Sequence, residues 1–150
     1  PECGKGLWRR TVTQVTQVGA YRVTDGSAQA CICVACGEYD LSAQELMGYE
    51  LRAVALVLRE VKKPSGEALR FARRALGLRQ ADLATLLGVK SETVSRWEGQ
   101  KPISRATRLA LVALVEGALA GRTVDAELVA AHAPDGPPPS TFEVPPRRVA

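Results

Sequence analysis

Residues 66–116 read GEALRFARRALGLRQADLATLLGVKSETVSRWEGQKPISRATRLALVALVE, and the parsing of this stretch decides the fold. Apolar residues recur at helical spacing, interrupted at short intervals by Gly77, Gly88, Gly99 and Pro102. Leu69, Ala72, Leu76 and Leu78 form the inner face of one helix and its exit, and Gly77 supplies the backbone freedom that a helix end needs. Gln80 to Leu87 makes a short second helix with Leu83, Ala84 and Leu87 inward. Gly88 ends it in a tight turn, and Ser91 is placed to cap a third helix running to about Glu98. Ala84 is small where the second and third helices must cross closely, and Val94 is the apolar residue that meets it.

Two short helices joined by a glycine-containing turn at a steep angle make a helix-turn-helix, whose second helix offers its N-terminal half to the DNA major groove. The outer side of that helix then carries Lys90, Ser91, Glu92, Thr93, Ser95 and Arg96. Arg96 can donate a bidentate pair to guanine O6 and N7, and Glu92 can accept from cytosine N4. The hydroxyls of Ser91, Thr93 and Ser95 suit phosphates or base edges. Gln80, at the start of the preceding helix, and Lys101, Ser104 and Arg105, beyond the third, are phosphate candidates. Trp97 reads as a core residue closing the domain. Charge agrees: residues 64–122 hold ten Lys and Arg against five Asp and Glu, a local excess larger than the net +4 of the whole chain. A positive field confined to one region points to double-stranded DNA as the partner.

The N-terminal part has another period. Trp8, Val12 and Val18 fall among Thr, Gln and Arg, followed by Tyr21 and Val23, the turn signal Thr24-Asp25-Gly26-Ser27, and the β-prone Ala30-Cys31-Ile32-Cys33-Val34. This predicts a small antiparallel sheet with too few large apolar residues to hold itself unaided. Ser42 and Glu45 form a capping-box pair at the start of a helix from about Ser42 to Val61, with Leu46, Tyr49, Leu51, Val54, Leu58 and Val61 as its apolar stripe. Lys62-Lys63-Pro64-Ser65-Gly66 breaks the pattern and sets a domain boundary. The class is α+β: a small stapled antiparallel sheet with a helix over residues 1–63, an all-α domain over 64–122, then 123–150. In that last part Val124 to Ala131 could form one more helix, and the Pro-rich remainder reads as extended or mobile.

The staple is legible in the cysteines. Cys33-Val34-Ala35-Cys36-Gly37 is a C-x-x-C-G knuckle, in which a tight turn aims backbone N–H groups at the thiolates. Pro1-Glu2-Cys3-Gly4 matches the last four positions of C-P-x-C-G. The expected ligand set for a structural zinc ion is Cys3, Cys33 and Cys36, with the fourth place filled either by a cysteine immediately before Pro1 or by Cys31, which otherwise reads as a buried thiol. Such a site is closed and supplies folding free energy rather than chemistry. The one histidine, His132, lies far from the cysteines in sequence and reads as inert. No paired-carboxylate, nucleophile or phosphate-loop constellation is present, which argues against an enzyme. No run of eighteen apolar residues occurs, so a membrane span is not expected and the chain reads as cytoplasmic.

Over Leu69-Arg70, Ala72-Arg73, Leu76-Gly77-Leu78, Gln80-Ala81-Asp82-Leu83-Ala84, Leu87-Gly88-Val89 and Thr93-Val94-Ser95-Arg96-Trp97-Glu98-Gly99, then Pro102, the sequence resembles the Xre/Cro-type helix-turn-helix family. Taken with the two knuckles, residues 1 to about 120 resemble the MqsA family of type II antitoxins, which join a YgiT-type zinc finger to such a domain. The resemblance implies a repressor of its own operon that binds a palindromic operator as a homodimer and neutralises a small toxin protein through its N-terminal module. It places two base-reading residues at Glu92 and Arg96, where better-known members carry Asn at the first. The alternative is a standalone Xre-family transcription regulator with a metal-dependent sensing domain. The Pro-rich end has no counterpart in that pattern.

Overall fold

A computed structural model describes residues 6–99 and 101–122. Strands β1 (Leu7–Val18), β2 (Tyr21–Cys33) and β3 (Tyr39–Asp40) form an antiparallel sheet in that order. Helices α1 (Ala43–Glu60), α2 (Gly66–Ala75), α3 (Gln80–Leu86), α4 (Ser91–Gly99) and α5 (Arg105–Leu119) follow. The α+β class and the strand-then-helix order agree with the sequence. Cys3, Val124 to Ala131, His132 and the Pro-rich end lie outside the described residues.

The hairpin differs from the expectation in one respect. Thr24-Asp25-Gly26-Ser27 is not its turn but lies inside β2, where Gly26 and Ser27 face the single residue Thr13 across a register shift. The turn is Gly19-Ala20, flanked by the pair Val18 and Tyr21, and Gly19 supplies the positive φ (+61°) that a two-residue hairpin turn requires. Asp25 does use its turn chemistry, accepting from the backbone N–H of Ser27 at 2.8 Å. It does so inside a bulge, because its other carboxylate oxygen takes the Arg52 Nε of α1 at 2.8 Å. Burial raises the Asp25 pKa, but the hydrogen bonds from Ser27 and Arg52 outweigh it and leave the carboxyl below its ordinary value.

Helix α1 is the middle layer. Ser42 caps it, accepting from the Glu45 N–H at 3.1 Å. The reciprocal half of the capping box is diverted, since the Glu45 carboxylate accepts from the Gln29 N–H of β2 at 3.0 Å and from Arg52 at 3.3 Å. Tyr49, Leu51, Ala53, Val54, Ala55, Val57 and Leu58 are all buried, a wider sector than one amphipathic stripe. Leu46, expected in that stripe, is instead exposed. The sector is wide because α1 contacts the hairpin as well as α2 and α5. One core therefore runs from Val18 and Val23 of the hairpin through Val54 and Leu58 to Leu69, Leu83, Val94, Leu111 and Val115, continuous across the Lys62–Gly66 break.

Two close approaches fix the remaining helices. A Cβ on Gly66 would lie 2.5 Å from the carbonyl oxygens of both Trp97 and Glu98, so the start of α2 rests on the last turn of α4 with no room for a methyl. A Cβ on Gly19 would lie 2.9 Å from the Ala68 backbone nitrogen, which seats the hairpin turn on the first turn of α2. Gly66→Ala is therefore expected to cost about 1–3 kcal/mol through overpacking against backbone. Gly99→Ala, whose added methyl meets nothing within 4 Å, should shift the urea midpoint little. Equal midpoints for the two variants in denaturation curves would contradict the close approach.

Candidate nucleic-acid interface

Helices α2, α3 and α4 converge on one carboxylate. Glu98, in the last turn of α4, is 3% exposed. Arg73 of α2 donates to it through Nε at 2.6 Å and through a second guanidinium nitrogen at 3.2 Å. Gln80 of α3 donates through Nε2 at 2.9 Å, and Arg70 of α2 approaches at 3.4 Å. Arg73 also donates to the Leu78 carbonyl at 2.8 Å, between α2 and α3. Burial raises the Glu98 pKa, but the hydrogen bonds from Arg73 and Gln80 and the charge of Arg73 outweigh it, so the carboxyl stays ionised below its ordinary range. Behind this cluster Leu69, Leu83 and Val94 are fully buried, and Trp97 is half-buried against them.

Sequence reading placed Gln80 on a phosphate. In this DNA-free structure its amide Nε2, at the start of α3, donates to Glu98. Arg73 and Glu98 were read only as motif positions, although Arg73 shares the inward face of α2 with Leu69 four residues earlier. The turn into α3 is closed by Asp82, which accepts from the Arg79 backbone N–H at 2.8 Å and from its guanidinium at 2.8 and 3.0 Å. Those bonds from Arg79 hold the Asp82 carboxyl down to about 2.

The outward side of α4 is as the pattern requires: Lys90, Ser91, Glu92, Ser95 and Arg96 are exposed and Thr93 is half-buried, while Val94 is fully buried. Ser91 does not cap the helix. It is the first helical residue, and the Lys90 carbonyl accepts the first helical N–H groups, from Thr93 at 2.9 Å and Val94 at 3.4 Å. Arg96 lies back along its own helix, donating to the Glu92 carbonyl at 3.3 Å and to Thr93 Oγ1 at 3.4 Å. Bonds of that length to an exposed guanidinium are weak and are readily exchanged for a base edge. Lys101 is exposed and tied to the end of α4 by its backbone N–H on the Arg96 carbonyl at 3.1 Å. Ser104 is the N-cap of α5, accepting from the Thr107 N–H at 3.0 Å, and Arg105 is exposed on the first turn.

At the far end of the sheet, the cysteine turn has the local geometry of a knuckle. The Ala35 N–H points at Cys33 Sγ at 3.4 Å, the Gly37 N–H donates to the Cys33 carbonyl at 3.0 Å, and Gly37 has φ +74°. Cys33 is buried, Cys31 half-buried and Cys36 exposed. Cys31 and Cys33 lie two apart on β2 and so share a face. The Val34 N–H donates to the Gly6 carbonyl at 3.2 Å, which brings the chain three residues beyond Cys3 to the turn. Among the described residues, which exclude Cys3, no group of three His, Cys, Asp or Glu side chains is arranged to hold a metal ion, and no helix is long and apolar enough to cross a membrane.

The helix-turn-helix family model matches residues 69–113, from the first turn of α2 to the middle of α5. That segment is an Xre-family helix-turn-helix domain of the kind carried by DNA-binding transcription regulators. No curated protein and no solved structure matches the chain.

Because the Glu98 carboxyl is held below its unfolded value, its contribution to stability is complete above the unfolded pKa and is lost as pH falls through the lowered folded one. Glu98→Gln should lower stability at neutral pH by about 3 kcal/mol, since it leaves Arg73 without a counter-charge. It should also flatten the acid limb of the stability curve. Urea unfolding of both proteins between neutral and acid pH measures the two effects together.

Proposed function

We propose that the protein is a sequence-specific DNA-binding transcriptional repressor that reads its operator with α4. The carrying observation is the division of that helix: Val94 and Glu98 are buried and tied to α2 and α3, while Lys90, Ser91, Glu92, Ser95 and Arg96 are turned outward within a helix-turn-helix segment. An exposed polar face on a helix held rigidly from behind is what base readout in a major groove requires. Arg96 donates to guanine, Glu92 accepts from cytosine, Ser91, Thr93 and Ser95 bond phosphates or base edges beside Lys90, and Gln80, Lys101, Ser104 and Arg105 bind phosphates. One such module reads only a half-site, so the operator is palindromic and the protein binds it as a homodimer.

The finer reading is an MqsA-like antitoxin: residues 1–63 form a module that binds a small toxin protein, residues 64–122 bind DNA, and the protein represses its own operon in the cytoplasm without catalysing a reaction. The knuckle supports a structural zinc ion, because the Ala35 N–H points at Cys33 Sγ, where it would stabilise a metal-bound thiolate. Cys33 and Cys36 would hold the ion with Cys3, and Cys31 shares the face of Cys33. The competing reading is an Xre-family regulator whose N-terminal part senses metal. It predicts DNA affinity that tracks zinc occupancy and no toxin partner.

Arg96→Ala should weaken operator binding by roughly tenfold to a hundredfold, the equivalent of about 1–3 kcal/mol, and relax base preference at one position per half-site. The fold should be kept, because among the described residues the Arg96 side chain bonds only within α4. Selection of bound sequences from a random pool followed by gel shifts checks it; unchanged affinity and preference would remove α4 from the interface. Cys33→Ser should lower zinc content, measured by elemental analysis of purified protein, and loosen the hairpin while the α2–α4 cluster persists. Equal zinc in both proteins would count against the site.

A further inference from the structure

The order β1-β2-β3 makes β1 an edge strand of twelve residues, about twice the usual strand length. An edge of that length offers a row of backbone N–H and C=O groups to any other strand, and proteins usually guard it with Lys, Pro or a bulge. Residues 11–18, TVTQVTQV, contain no charge, no proline and no glycine. The one irregularity adds its extra residue to β2, the inner strand, and leaves β1 regular. Among the described residues the only backbone partners of β1 lie in β2. Thr11, Thr13, Val15 and Gln17 are exposed on one face, Val15 at 47%.

The apolar face of α5 offers little surface for a dimer, because most of it is consumed by the core. Leu111 and Val115 of α5 are fully buried against the rest of the core and Val112 is half-buried, which leaves Leu109 and Leu119 exposed. We infer that the dimer forms instead through β1, whose free edge pairs antiparallel with the same edge of a second copy across a two-fold axis, joining the two sheets into one. This rests on the dimeric reading above and says where the dimer is made.

A second copy suits the strand because the strand is complementary to itself. Side chains directly opposite in a sheet must share a face, which limits the two-fold register to pairings of residues whose numbers differ by an even count. Pairing about Gln14 sets Val12 against Thr16, Thr13 against Val15 and Thr11 against Gln17, largely β-branched side chains on one another. The same register places Arg9 and Arg10 opposite Gly19 and Val18, so the arginines of the two copies stand at opposite ends and no like charges meet. A centre near Arg10 would oppose arginine to arginine and is disfavoured.

Light scattering on the full-length protein without DNA tests this with two variants, Val15→Lys at the exposed centre of β1 and Leu109→Glu on α5. The wild type is expected at dimer mass, Val15→Lys at monomer mass with an unchanged far-ultraviolet circular dichroism spectrum, and Leu109→Glu still at dimer mass. Thr13→Lys, at another exposed position of the same strand, gives the same readout should Val15→Lys fail to fold. A monomeric wild type overturns the dimeric reading and this inference with it. A dimer that survives lysine in β1, or is lost in Leu109→Glu alone, overturns the edge and leaves the dimeric reading standing, and a mass above that of the dimer overturns the closed two-fold pairing.

Discussion

The buried carboxylate of Glu98 is the constraint around which the helical half is arranged. An ionised side chain in that position is tolerated only if donors surround it, and those donors come from two other helices: Arg73 and Arg70 from α2, Gln80 from α3. Moving any of the three helices alone would strand a charge or an amide. The cluster therefore sets an orientation that apolar packing of Leu69, Leu83 and Val94 would leave looser, since those contacts are non-directional. Gly66 tightens it further by allowing α2 to begin directly on the carbonyls that end α4.

This rigidity matters for the outward face. Base discrimination depends on placing a guanidinium or carboxylate within a hydrogen bond of a particular edge, and a recognition helix that rocks spreads that placement over neighbouring bases. In this protein α4 is anchored by Val94 and Glu98 on one side, so the opposite side can be wholly polar without loss of the helix. Arg96 remains adjustable because its contacts are local, whereas Arg73, chemically the same side chain, is fixed by three hydrogen bonds to Glu98 and Leu78 and contributes to architecture.

Helix α1 carries that rigidity to the sheet. It lies between hairpin and bundle, with Arg52 bound to the β2 bulge through Asp25, and its last carbonyls, those of Leu58 and Arg59, accept from Arg108 of α5 at 2.6 and 3.2 Å. Arg59 pairs in turn with Glu116. The hairpin turn touches the start of α2 through Gly19. A change at the cysteine end thus has a packed route to the DNA-binding helices through α1 and β2, whichever partner the N-terminal part serves.

Much of this was legible in the order of residues. The helices of the bundle, the turn at Gly88, the inward Val94, the outward face of α4 and the Ser42 cap follow from period and local capping chemistry, which act over a few residues and so are written locally. The knuckle turn is of the same kind. The errors were those of long-range competition. Asp25-Gly26 has the composition of a turn, yet Arg52 of α1, 27 residues away, draws Asp25 into a bulge. Glu45 has the spacing of a capping box, yet a strand N–H and Arg52 claim its carboxylate. Leu111 and Val115 are fully buried because α1 packs on α5, and the Gln80 amide at the start of α3 reaches Glu98 in α4. The sequence by itself determined which segments are helix or strand and which face of α4 looks outward, because those depend on neighbours three or four positions away. Only the tertiary structure decided which polar groups are consumed inside the fold and which remain for a partner, because a hydrogen-bond donor is assigned by what the chain brings against it from elsewhere.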